Sequence, residues 1–186
     1  SKQVTDAYAV FGELTWDVTE RLSAVGGARY SDEKRTAYGT FQFGQGPQPS
    51  MPRIGEKSWD SFTPRVALRY RLPQGDNLYV TYSEGFKSGG FNGEANTLAE
   101  ALVPYRPQKL KAYELGLKTG FADGRAIVNV AAFQNDTDDM QLSIFTASGA
   151  SASIIRNAGK ATTRGFEVEA MWVPSDALTL QASYGY

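Results

Sequence analysis

The feature that most restricts how this chain can fold is a period of two in its apolar residues. From Tyr8 the even positions read Tyr8, Val10, Gly12, Leu14 and Trp16, while the odd ones read Ala9, Phe11, Glu13, Thr15 and Asp17. Successive side chains of an extended strand point to opposite faces, so this run predicts a strand with one apolar side; a helix would repeat at 3.6. After a short polar turn around Val18, Leu22, Ala24, Gly26, Ala28 and Tyr30 resume the alternation. Two such strands joined by a few residues make a hairpin.

The pattern recurs along the chain. Phe62, Pro64, Val66, Leu68, Tyr70 and Leu72 alternate with Ser61, Thr63, Arg65, Ala67, Arg69 and Arg71, and after a turn near Gly75 come Leu78, Val80 and Tyr82. Tyr113, Leu115, Leu117, Thr119 and Phe121 follow, then a turn at Asp123 and a strand over 126–135 that is apolar on both sides and leaves its facing open. Phe166, Val168, Ala170 and Trp172 oppose Gly165, Glu167 and Glu169, and beyond a turn near Ser175 stand Leu178, Leu180, Ala182, Tyr184 and Tyr186. The reading is all-β and antiparallel, with about eight strands in up-and-down order.

Connections come in two lengths. The four tight turns alternate with three long segments, 36–57, 88–109 and 141–153, rich in Gly, Ser, Pro, Asn and Asp and expected to be loops. Strict alternation puts every short turn on one rim and every long loop on the other, as in membrane barrels. Several runs reach the ~9–11 residues that a strand needs to cross hydrocarbon. Mid-strand charges occupy the alternate face: Glu13, Arg29, Arg65, Arg69, Glu114, Lys118, Glu167 and Glu169. Lipid does not tolerate such groups, so they are expected to face a wet or protein-filled lumen. Trp16, Tyr30, Trp59, Tyr70, Phe121, Trp172 and Tyr184 lie where interfacial girdles would place aromatics. Periodicity alone leaves two alternatives open, a closed eight-stranded membrane barrel with an adhesive or structural role and a soluble β-barrel or sandwich.

Composition removes other classes. The 186 residues contain no Cys and no His, and 19 basic against 20 acidic side chains give a net charge of −1. That excludes thiolate and imidazole chemistry and ordinary zinc sites, and it offers no basic footprint for nucleic acid. No run of about 20 apolar residues exists, which says nothing against a barrel. Ser31-Asp32-Glu33-Lys34 and Lys118-Thr119-Gly120 superficially match an acyl-enzyme pair, but that chemistry needs the Ser at a helix start, whereas these residues continue strands. Glu167 and Glu169 are better explained as like-charged lumen groups than as a catalytic pair, and Asp136, Asp138 and Asp139 as a solvated acidic edge than as a Ca²⁺ site. No catalytic residue, resident metal or cofactor is expected.

Three stretches carry a family resemblance. They are residues 79–92, reading YVTYSEGFKSGGFN; Tyr105-Arg106-Pro107 followed by Tyr113-Glu114-Leu115-Gly116-Leu117-Lys118; and Asn157-Ala158-Gly159 leading into Arg164-Gly165-Phe166-Glu167-Val168-Glu169-Ala170. In this order they resemble TonB-dependent outer-membrane receptors of Gram-negative bacteria. The resemblance implies that residues 1–186 are part of a roughly 22-stranded barrel, with the plug domain, the TonB-contacting segment and the other strands outside this sequence. It further implies uptake of a scarce ligand, most often a ferric siderophore, with TonB, the ligand and outer-membrane lipid as partners. On that footing Phe86, Lys87, Phe91, Tyr105 and Arg106 are the candidate ligand contacts, since cations and aromatic rings suit an anionic, ring-bearing chelate. The competing reading is that these residues shape the rim.

Overall fold

A computed structural model describes residues 2–39, 53–73, 75–92, 98–146 and 152–186. Ten strands and one short helix follow in order: β1 (Lys2–Asp17), β2 (Leu22–Tyr38), β3 (Arg53–Arg71), β4 (Asn77–Lys87), α1 (Leu98–Leu102), β5 (Gln108–Phe121), β6 (Ala126–Asp138), β7 (Met140–Thr146), β8 (Ala152–Ala158), β9 (Ala161–Ser175) and β10 (Leu178–Gly185). Eight of them form one antiparallel sheet in the order β1-β2-β3-β4-β5-β6-β9-β10, and β7 and β8 form a separate hairpin. The sheet is the expected up-and-down wall. It is open, because β1 pairs with β2 alone and β10 with β9 alone among the described residues, so the closed eight-stranded alternative is set aside.

The long connections are more structured than expected. Strands β2 and β3 run well into the predicted 36–57 loop, whose residues 40–52 lie outside the described ones. The predicted 88–109 loop holds α1, an isolated bridge between Gly90 and Tyr105, and the start of β5. The 141–153 loop is corrected outright. It is mostly the β7–β8 hairpin, paired from Met140↔Ala158 to Thr146↔Ala152. Its composition read as loop because both strands are short and their Ser, Asn and Ala residues dilute the strand signal of Ile and Phe.

Register decides the facing of every strand, since residues paired across an antiparallel ladder share a face. One face carries Val66↔Tyr82↔Tyr113, Leu68↔Val80↔Leu115 and Tyr70↔Leu78↔Leu117↔Val130↔Val168↔Tyr184. The same ladders bring in Val10, Leu14 and Trp16 through Tyr30, Gly26 and Ala24 of β2. They also resolve β6, whose Val128, Val130 and Ala132 join this face. Among the described residues nothing covers it: Leu14 is 80% exposed, Phe62 64% and Trp16 69%, and Leu68 and Val80 are each 45% exposed rather than converging on a dry centre. A soluble barrel would bury this face as its core, so the soluble alternative fails here.

The apolar face is bounded by rings at two heights. Tyr8, Phe62 and Tyr113 stand eight residues from Trp16, Tyr70 and Phe121 on β1, β3 and β5 respectively. Eight residues rise about 26 Å along a strand, or about 20 Å of height at a tilt of about 40°; the rings at both ends extend this towards the ~25 Å apolar band of outer-membrane barrels. One aromatic is corrected. Trp59 pairs with Glu33, which puts it on the opposite face, and it is 7% exposed. Period-two counting from Phe62 already gives Trp59 the wrong parity for the girdle.

Candidate functional site

The other face of the sheet is polar and charged. The ladders place Glu13, Arg29, Arg65, Arg69, Glu114, Lys118, Glu167 and Glu169 together on it, through Phe11↔Arg29, Glu13↔Gly27↔Arg65, Arg69↔Tyr79↔Gly116↔Ala131↔Glu167 and Lys118↔Asn129↔Glu169. Two glycines let these side chains meet across intervening strands. Gly27 of β2 lies between Glu13 and Arg65, whose carboxylate and guanidinium pair at 2.6 Å. Gly116 of β5 leaves room for the Tyr79 ring, which a Cβ there would strike. The Tyr79 hydroxyl thereby donates to Glu114 Oε1 at 2.7 Å, and Lys118 Nζ lies 5.8 Å from the ring centroid. Ser31 and Lys34, three residues apart on β2, point to opposite faces, so the Ser-Lys pair has no shared site.

At the long-loop end, residues 88–91 form a strap across the polar face of β3, β2 and β1. Ser88 Oγ donates to Glu33 Oε2 on β2 at 2.6 Å. Gly89 lies against Trp59 of β3, where a Cβ would come within 2.6 Å of the indole, and Gly90 lies against the Tyr105 ring and Arg35. Phe91 meets Trp59 edge-on, with centroids 6.2 Å apart, and its carbonyl accepts from Gln3 Nε2 of β1 at 2.6 Å. Ala37, Trp59, Phe91, Ala101 and Ile154 form the buried cluster of this end, with Phe86 packed against it. The apolar core therefore sits beneath the rim, not between sheets.

The five candidate ligand contacts occupy different situations here. Phe91, 5% exposed, packs the strap, and Phe86 is half-buried beside it. Tyr105 is half-buried, and its backbone exchanges hydrogen bonds with Gly90 at 2.9 and 3.3 Å. Arg106 is exposed and joined to Asp139 Oδ1 at 2.5 Å. Lys87 is exposed at the end of β4. The five thus divide into Phe86, Phe91 and Tyr105, which build the rim, Arg106, which is tied to Asp139, and Lys87, which stands exposed at the end of β4.

Sequence reasoning missed the residues that join the β7–β8 hairpin to this rim. Asn92 Oδ1 accepts the Ile155 N–H at 2.7 Å, and its Nδ2 donates to the Ile155 carbonyl at 3.1 Å. Asn157 does the same to Arg106, at 2.7 and 2.9 Å. Gln141 Nε2 donates to the carbonyls of Ser88 and Arg106 at 2.9 and 3.0 Å. Asn92 and Asn157 stood inside the resemblance motifs, but only the hairpin gives them partners.

The acidic edge is internally satisfied. Asp138 pairs with Lys160 at 3.1 Å and Asp139 with Arg106. Asp136, beyond the apolar band, takes hydrogen bonds from Gln134 Nε2 at 2.9 Å and Thr162 Oγ1 at 2.8 Å, which hold its carboxyl below the ordinary carboxylate range. No group of three or more potential metal ligands occurs among the described residues.

Comparison with known proteins agrees with this geometry. Residues 1–186 match the family described as TonB dependent receptor-like, beta-barrel. The chain is 30% identical over 170 residues to the pesticin receptor of Yersinia enterocolitica, covering 90% of this chain and 24% of the relative. It thus spans about a quarter of that relative's length. Among solved structures it superimposes on the copper transporter OprC with a TM-score of 0.78 at 19% identity, over 99% of this chain and 29% of the other. On the ferric yersiniabactin uptake receptor FyuA of Yersinia pestis the TM-score is 0.74 at 23% identity, over 99% and 28%. The chain belongs to the TonB-dependent receptor family, as a stretch of its outer-membrane β-barrel.

Proposed function

We propose that this stretch forms part of the wall and outer rim of a receptor for active uptake of a scarce metal chelate, of the ferric siderophore class. A plug domain and an amino-terminal segment of the parent protein engage TonB, which supplies the energy, and the charges at Glu13, Arg29, Arg65, Arg69, Glu114, Lys118, Glu167 and Glu169 line the lumen against the plug. The observation that carries this reading is the two-sidedness of the sheet: an uncovered apolar belt of outer-membrane height backs a charged face over which a rim strap is folded. Its ligand class is supported by sequence relatives named as receptors for metal-pseudopaline and ferric-pyoverdine.

The test is uptake by the parent organism with the full-length gene intact or deleted. Radio-iron chelates, a copper chelate, cobalamin and an oligosaccharide are supplied with TonB present and absent. Loss of uptake of one ferric chelate on deletion of either gene is expected. Uptake that persists without TonB, or a defect confined to the oligosaccharide, would overturn the proposal.

A further inference from the structure

We propose that the cleft between residues 103–106 and strand β8 binds the anionic, apolar-bodied part of the chelate, with Arg156 as its anchoring cation and Asn92 and Asn157 as positioning residues. This inference rests on the uptake reading above. The cleft measures about 530 Å³, within the range of small-molecule sites. Its apolar wall comes from Val103, Pro104 and Ile155, and Val103 is 66% exposed. Tyr105, Arg106 and Arg156 add an aromatic ring and two guanidinium groups.

The polar groups around it have separable duties. Both ends of the Asn92 amide are engaged by the backbone of Ile155, and both ends of Asn157 by the backbone of Arg106, so these side chains hold the walls together. A second bond from Asn157 Nδ2, to the Asp139 carbonyl at 2.8 Å, fixes the base of the hairpin. The Arg106 guanidinium holds Asp139. Arg156 is exposed on β8, where its strand pairs it with Leu142, and its guanidinium has no hydrogen bond or ion pair among the described residues. It is the guanidinium left to take a carboxylate or phenolate oxygen pair, for which its planar fork is suited. The ligand's negative group belongs at the Arg156 end and its ring over Val103 and Pro104.

The full-length receptor in detergent is titrated with ferric 2,3-dihydroxybenzoate and ferric citrate, both anionic, and with ferrioxamine B, which is cationic, following tryptophan fluorescence. Arg156→Gln should weaken both anionic probes about tenfold or more and leave ferrioxamine B unchanged, with Arg156→Lys recovering part of the loss. Asn157→Ala should weaken the same probes and also expose the β7–β8 hairpin to protease, whereas Arg156→Gln should not alter protease resistance. Arg125→Gln, at the short-turn rim, should bind as the parent does. Parental affinity of Arg156→Gln for both anionic probes, or a receptor that takes up iron yet binds neither of them, would overturn the cleft assignment while the uptake reading stands. Absence of any TonB-dependent uptake removes both.

Discussion

Adjacent residues of β3 give the sharpest test of the two-faced wall. Val66 lies four residues from Phe62 and four from Tyr70, at mid-height of the belt, and is 50% exposed on the apolar face. Arg65, one step along, points the opposite way and reaches Glu13 at 2.6 Å with both side chains 49% exposed. Exchanging side-chain character at these positions should therefore give unequal results. Val66→Arg places a cation at the hydrocarbon midplane, a cost of about 2–4 kcal/mol in outer-membrane barrels, which is roughly 30- to 1000-fold in the folding equilibrium. Arg65→Val removes a half-exposed ion pair worth about 0–1 kcal/mol. The assay is denaturant unfolding of the full-length receptor in phospholipid vesicles, followed by heat-modifiable gel mobility and tryptophan emission. A penalty for Val66→Arg below about 1 kcal/mol, or one for Arg65→Val that equals or exceeds it, would refute the assignment of faces.

Three further outcomes are expected. Gly89→Ala should lift the strap from Trp59, at a cost of about 1–3 kcal/mol as in other overpacked sites, seen as new protease cleavage near residue 89 with the belt strands still assembled. Tyr79→Phe should cost about 1–2 kcal/mol, because Glu114 loses the hydroxyl donor at 2.7 Å while the ring still covers Gly116; a loss above about 3 kcal/mol would mean that the ring had moved. For Asp136, the depressed carboxyl contributes stability that is present above the ordinary carboxylate range and lost as pH falls through its lowered value. Acid titration of protease protection where β6 meets β9 should therefore flatten in Asp136→Asn, and an unchanged acid profile would mean that the Gln134 and Thr162 bonds do not stabilise this carboxylate.

The eight strands of the wall, and the sidedness of most of them, were legible in the chain because each depends on local geometry; the β7–β8 hairpin and the facing of β6 were not. A side chain two residues on returns to the same face whatever else the molecule does, so Val66, Leu68 and Tyr70 name a face without knowing their neighbours. Alternating turn lengths likewise order the rims. The same counting placed Glu13 and Arg65 on one face, but only the pairing through Gly27 shows that they touch.

What tertiary structure alone decided concerns residues far apart in sequence. Phe91 and Lys87 look alike as members of one motif, yet Phe91 is buried because the strap crosses to Trp59 and Gln3, 32 and 88 positions away. Asn92 and Asn157 stand in the sequence as motif residues without partners; the fold gives Asn92 the backbone of Ile155 on β8, 63 positions away, and gives Asn157, itself on β8, the backbone of Arg106, 51 positions away. Alternation specifies direction at one residue's range, whereas a contact across the rim depends on where two separately folded segments meet. Local sequence records the first; only the assembled wall and its docked loops determine the second.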